Sequence, residues 1–306
     1  MKPKRFKYIY LLLCVALCIT TISRGYYLKH HTNEGNPFSR AINTIIPEAI
    51  PGINHVIDDS LSDLEETKKM ERTIERFMAQ WEIKGASLAI MKNGKLLYSK
   101  GFGIADSAKG TPVNVSNIFR IASLSKLITA TGIMKLWEEK KLSLDQPVFG
   151  EKGILNDSAF LDIKDPRIRE ITVEHLLRHQ GGYSIRAGDP LFCTPSVAQS
   201  MQTPLPLSAD DMVRFAASTR LRFRPGEGNA YSNLGYVVLG KVIEKVSGMP
   251  YETFIRDSIL IPIGCFDMHI GYSEPDKHFP NEVHYYDEEL RVMVSDESKC
   301  VCCHRC

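Results

Sequence analysis

The spacing of apolar and polar positions divides the chain into stretches of different character. Tyr8 to Ile22 is an apolar run directly behind Lys2, Lys4, Arg5 and Lys7, the order of a secretory n-region and h-region. The run is shorter than the ~20 residues a spanning helix needs. Thr20-Thr21-Ile22-Ser23 offers no small-x-small cleavage site, so residues 1–23 read as a signal peptide or an uncleaved membrane anchor. Residues 24–65 are polar, contain prolines and hold no sustained period, as a linker or stalk would.

Regular periods follow. Met70, Ile74, Phe77 and Met78 fall at helical spacing and predict a helix from about Leu64 to Trp81. Ala86 to Met91 and Lys95 to Lys100 read as strands joined by Asn93-Gly94, which supplies the positive φ angles of a tight hairpin turn. Gly101 and Gly103 then suggest a bend. From Ala122 to Lys141, Leu127, Ile128, Ile133, Met134, Leu136 and Trp137 give a broad apolar face and predict a buried central helix. Thr172 leads a short helix through Arg178, stopped by Gly181-Gly182. Ser208-Ala-Asp210-Asp211 opens another with capping chemistry, Arg224 to Gly228 is a loop, and Leu234 to Ser247 is a further helix closed by Gly248. A hairpin followed by many helices implies an α/β (α+β) protein: an antiparallel sheet with a helical lobe.

Composition narrows the function classes. With 43% hydrophobic and 24% charged residues the chain of 306 residues is that of a globular protein. A net charge of +2 gives no pull toward nucleic acid, and none is expected as a partner. Membrane contact is expected only through the N-terminal segment. Cys18 follows Val15-Ala16-Leu17, loosely like a bacterial lipoprotein box, although Leu17 suits that box poorly. Cys300, Cys302, Cys303 and Cys306 crowd a tail, 300–306, without the second ligand pair a zinc site uses, so neither metal nor cofactor is expected.

Ser123-Leu-Ser-Lys126 carries the candidate chemistry. Positions three apart on a helix share a face, which brings the Ser123 hydroxyl toward the Lys126 amine. A serine is a weak nucleophile until a neighbour takes its proton. A lysine can do so where apolar surroundings, here Leu124, Leu127 and Ile128, disfavour its charged form. The helix N-terminus favours negative charge in a tetrahedral intermediate. The plainer alternative is a surface serine and lysine on an amphipathic helix. Far downstream, Tyr231-Ser-Asn233 stands between a Gly-rich loop and a helix. A tyrosine near a lysine can shuttle protons, and an asparagine amide can hold a substrate carbonyl. Alternatively Tyr231 fills core beside Tyr236, and Asn233 caps the following helix.

Taken together, these segments resemble the serine β-lactamase-like family, which includes class C β-lactamases, DD-peptidases and related esterases. Phe119-Arg-Ile-Ala-Ser123-Leu-Ser-Lys126 is similar to its nucleophile segment. Lys141-Leu-Ser-Leu-Asp145-Gln-Pro147, Ile171 to Gly182, Arg224-Pro-Gly226 and Tyr231 to Tyr236 match later segments in order, from about residue 70 to 290. The resemblance implies an acylated Ser123, Lys126 as its base, Tyr231 assisting proton transfer and Asn233 holding substrate. It makes His175 and His179 scaffold residues. The expected domain is 66–299, acting on a small molecule or peptidoglycan peptide: a β-lactam, a D-Ala-D-Ala peptide or an ester.

One part of the family pattern has no counterpart. The third motif, Lys-Thr-Gly or His-x-Gly on a late strand, has only His269-Ile-Gly271 as a match, and that comes too early. The Cys-rich end reads as truncated or frame-altered, which predicts an incomplete sheet. An exported serine hydrolase is therefore expected at the periplasmic or extracellular side of the membrane. The alternative is an impaired relative that binds cell-wall peptide or a partner without turnover.

Overall fold

The computed structural model of the protein describes residues 64–93, 95–183, 188–272 and 275–286. The export segment, the linker up to residue 63 and the Cys-rich tail lie outside them.

Helix α1 spans Lys68–Gln80, close to the periodicity of the sequence. It covers a hairpin of β1 (Gly85–Lys92) and β2 (Lys95–Asp106), which pair antiparallel, with Asn93 at positive φ in the turn. Ala86, Leu88 and Ile90 alternate along β1 and pack with Tyr98, Phe102, Met70, Ile74 and Met78 in a small core. Buried Glu71 of α1 accepts hydrogen bonds from Tyr98 Oη at 3.2 Å and Lys100 Nζ at 3.1 Å, which ties helix to sheet. The short β3 (Thr111–Pro112) extends the sheet in the order β1-β2-β3.

The bend expected at Gly101 and Gly103 falls inside a strand, with Gly103 at φ 72° where pairing passes from β1 to β3. Strand β2 runs through both. A Cβ at Gly101 would sit 2.2 Å from the Val113 carbonyl oxygen, and one at Gly103 would sit 2.1 Å from that of Lys84. Close backbone approach excludes a side chain at both, and the positive φ adds to this at Gly103.

The larger core belongs to the helical lobe. Helix α2 spans Ser125–Glu138, and a 3-10 turn, Ala122–Leu124, leads into it. Around it stand α3 (Val173–Leu177), α4 (Thr194–Met201), α5 (Ala209–Ser218), α6 (Asn233–Ser247) and α7 (Tyr251–Ile255). Thr172 and Ser208 each form a reciprocal capping box, with His175 and Asp211 respectively. Gly248, at φ 71°, closes α6. Ile133 and Leu136 of α2 are fully buried against Leu239 and Ile243 of α6 and their neighbours. The expected broad burial of α2 holds for one side only, since Leu127, Met134 and Trp137 are exposed.

The chain ahead of α2 is braced from far downstream. Arg120 Nε pairs with Glu282 Oε1 at 3.2 Å, its Nη2 donates to the Tyr272 carbonyl at 2.6 Å, and its backbone N–H donates to Tyr285 Oη at 2.7 Å. The guanidinium also lies 4.5 Å from the Tyr285 ring centre. Ile118 N–H donates to the Asn281 carbonyl, and Val283 N–H to that of Ile118.

Candidate active site

Ser123 sits on the 3-10 turn at the N-terminal end of α2, with its side chain exposed. The residue before it, Ala122, has φ 44°, a left-handed conformation that alanine rarely adopts and that sequence alone does not signal. This turn presents Ser123 Oγ toward the start of α6. Lys126 follows one helical turn later, and its Nζ donates to Ser123 Oγ at 3.3 Å.

The remaining partners come from the loop that enters α6. Gly226, at φ 84°, passes over the His175 ring, where a Cβ would lie 3.0 Å from Nε2. That approach lets the Arg224–Gly228 loop return the chain to Tyr231. Tyr231 Oη lies 2.6 Å from Ser123 Oγ. Tyr231 is partly exposed rather than core, so the core-filling alternative does not hold.

Ser232, not Asn233, caps α6: its Oγ accepts from the Gly235 N–H at 2.9 Å. Asn233 is the first helical residue, and its side chain is free of capping. Its Oδ1 accepts from Lys126 Nζ at 2.5 Å, while its Nδ2 donates to Asp189 Oδ2 at 2.7 Å. The four residues singled out from sequence, Ser123, Lys126, Tyr231 and Asn233, thus form one hydrogen-bonded group.

The surroundings of Lys126 differ from the expected ones. Leu124 and Leu127 are exposed and do not enclose the amine. The faces of Tyr231 and Tyr236 do, with Nζ 4.8 Å and 5.7 Å from their ring centres. His179 completes the wall. Its ring packs 4.7 Å from that of Tyr231 and 5.2 Å from that of Tyr236, and its Nδ1 accepts from the Ser232 N–H at 3.2 Å. Burial, then the nearby Lys126 charge, push the His179 pKa below the ordinary histidine value. A neutral ring is what the Nδ1 acceptor role requires. The Tyr236 hydroxyl donates to the Leu177 carbonyl, and burial raises its pKa.

Two other sequence features lie elsewhere. Ser125 faces away from the group and lines a cavity of about 730 Å³ bounded by Ile118, Ile128, Tyr251, Met268 and Phe279. His269 stacks on Phe279 at 4.7 Å, Ile270 N–H donates to Glu252, and His269-Ile-Gly271 lines the same cavity as Ser125 without lying on a strand. Among the described residues the strands are those of β1, β2 and β3, and no strand follows Ser123 in sequence. None of their helices is long and apolar enough to cross a membrane.

A family model described as Beta-lactamase matches residues 70–296. The chain belongs to that family. Membership accounts for the co-ordered segments and for the α/β fold, an antiparallel sheet beside a helical lobe. Esterase EstB of Burkholderia gladioli is 26% identical over 217 residues, covering 68% of this chain and 53% of the esterase. A penicillin-binding protein of Bacillus subtilis (strain 168) is 32% identical over 201 residues, covering 64% of this chain and 40% of that protein. Among solved structures, an octameric penicillin-binding protein homologue from Pyrococcus abyssi superposes with a TM-score of 0.58 at 33% identity, covering 74% of this chain and 50% of that one. The chain spans about half the length of these relatives.

Proposed function

We propose that the protein is an exported serine hydrolase that cleaves an amide or ester through an acyl-enzyme at Ser123. The observation that carries this reading is the placement of Ser123 Oγ between Tyr231 Oη at 2.6 Å and Lys126 Nζ at 3.3 Å. Both lie within proton-transfer reach of one hydroxyl. Lys126 in its amine form takes the Ser123 proton as Oγ attacks the carbonyl carbon. The carbon–nitrogen or carbon–oxygen bond breaks as Tyr231 gives its proton to the leaving group and regains one from Lys126. Water then attacks the acyl carbon, its proton leaves by the same groups, and Ser123 is restored. Asn233 holds Lys126 and offers its amide to substrate.

The substrate is a β-lactam, a D-Ala-D-Ala peptide or a small ester. The family likeness supports all three, since one relative is named an esterase and another a penicillin-binding protein. Export rests on the basic and apolar order of residues 1–23.

Binding of cell-wall peptide or a partner without turnover is the second reading. The conformation of His269-Ile-Gly271 favours it, because this segment packs on Glu252 and Phe279 and lies on no strand. One experiment separates the two. A fluorophosphonate or fluorescent penicillin is expected to label the folded protein, and Ser123→Ala to abolish labelling. A label that persists in Ser123→Ala rejects the nucleophile. A folded wild type that takes no probe yet retains peptide ligand favours the binding module.

A further inference from the structure

We propose that Asp189 is a positioning residue of this site, fixing the Asn233 amide so that its oxygen faces Lys126. The proposal rests on the hydrolase reading for its effect on rate and on geometry alone for its structural content. A primary amide has two ends of nearly equal shape, one accepting and one donating. Lys126 Nζ, whose lone pair in the amine form is directed at Ser123, turns a proton to Asn233 at 2.5 Å and is met by the oxygen. The Asp189 carboxylate at 2.7 Å has only lone pairs and needs the NH2. Each partner alone tolerates a rotated amide with loss of one bond; both together select a single orientation.

Asp189 is itself held. Its Oδ1 accepts from the Leu191 N–H at 3.0 Å, capping the 3-10 turn Pro190–Phe192, so Oδ2 is left aimed at the amide. The order Asp189, Asn233, Lys126, Ser123 is then a chain of bonds running from a fixed turn to the nucleophile. Without Asp189, Asn233 Nδ2 loses its acceptor. The amide can turn its NH2 toward the lysine, and Lys126 is released from the position beside Ser123.

The test compares wild type, Asp189→Ala, Asp189→Asn, Asn233→Ala and the Asp189→Ala/Asn233→Ala double variant. Two readouts are taken: the fluorophosphonate labelling rate at Ser123, and the side-chain amide protons of Asn233 by NMR, assigned by their loss in Asn233→Ala. Asp189→Ala is expected to slow labelling about tenfold and to shift the Asn233 amide protons. Asp189→Asn keeps the cap and an accepting oxygen, and recovers part of the rate. In the Asn233→Ala background, Asp189→Ala is expected to change the rate less than twofold, an absence of effect that loop damage would not produce. Unchanged labelling in Asp189→Ala, or a full tenfold loss added to that of Asn233→Ala, overturns the proposal. If wild type takes no probe, the hydrolase reading fails while the amide resonances still decide: a shift in Asp189→Ala sustains the positioning role and an unmoved resonance refutes it.

Discussion

His179 shows how a residue outside the hydrogen-bonded group of Ser123 sets its geometry. It adopts φ 57°, and its neutral ring packs on Tyr231 while accepting from Ser232. Lys126, Tyr231 and Tyr236 are the titratable groups around it. Because its folded pKa lies below the unfolded value of ~6.5, the unfolded chain takes up the proton first as pH falls. Stability is then lost below about pH 6.5 and levels off once the folded ring is also charged. The urea midpoint of wild type is expected to decline across that window, and that of His179→Asn to lack the histidine part of the slope. Equal slopes would remove the ring from the account. The Ser-x-x-Lys spacing, Tyr231 and Asn233 are legible in sequence because the first is local and the family order supplies the others. Asp189 is not. Its one local sign, Asp before Pro190, marks a turn, and its reach to Asn233 exists only in three dimensions.

Helix packing around Ser123 depends on where small residues allow close approach. A Cβ at Gly132 in α2 would meet Ile255 Cδ1 at 2.8 Å and Ile243 Cδ1 at 3.0 Å, so three helices converge on one hydrogen atom. Gly132→Val is expected to cost about 2 kcal/mol by overpacking and to lower Tm by several degrees. Gly240 in α6 makes the contrast: its Cβ would meet only the Tyr251 ring, at 3.6 Å. Gly240→Ala is expected to raise Tm, since alanine gains up to about 1 kcal/mol of helix propensity without a clash. Thermal melts of both variants check the pair, and a stabilised Gly132→Val would contradict the packing. The hairpin and the capped helices were readable from Asn93-Gly94, Thr172, Ser208 and Gly248, because turn and cap chemistry is local. Helix α4 has only one such sign, the proline of its first turn. It is short and begins with Thr194-Pro, and its burial of Val197 and Ala198 is a tertiary effect. The exposure of Leu127 and Trp137 was equally hidden, since periodicity shows an apolar face but not what covers it.

At the scale of the molecule, Asp165 joins parts of the helical lobe that are distant in sequence. It accepts from Arg167 Nη2 at 2.7 Å and from the Leu221 N–H at 3.0 Å. Hydrogen bonding to Arg167, outweighing burial, lowers its pKa to about 2. The stability this gives is complete above the unfolded value of ~3.9 and is lost as pH falls toward 2. Asp165→Asn is expected to cost about 2 kcal/mol at pH 6 and to flatten the denaturation midpoint between pH 4 and 2. An unchanged acid limb would show that other carboxylates dominate. The overall fold was legible because several segments occur in family order, which constrains more than any single period does. How those segments brace one another was not legible, because pairs such as Asp165 with Leu221 join backbone to side chain without a compositional trace.

The brace on the turn that carries Ser123 also sets a schedule. Ser116 to Arg120 are held by Asn281, Glu282 and Tyr285, which a ribosome makes long after Ser123. The pair Ser123 and Lys126 is local and can form as soon as its helix does, but the turn that aims the hydroxyl waits for residues some 160 positions later. A nascent chain therefore carries Ser123 in an unfinished mount until Tyr285 has arrived.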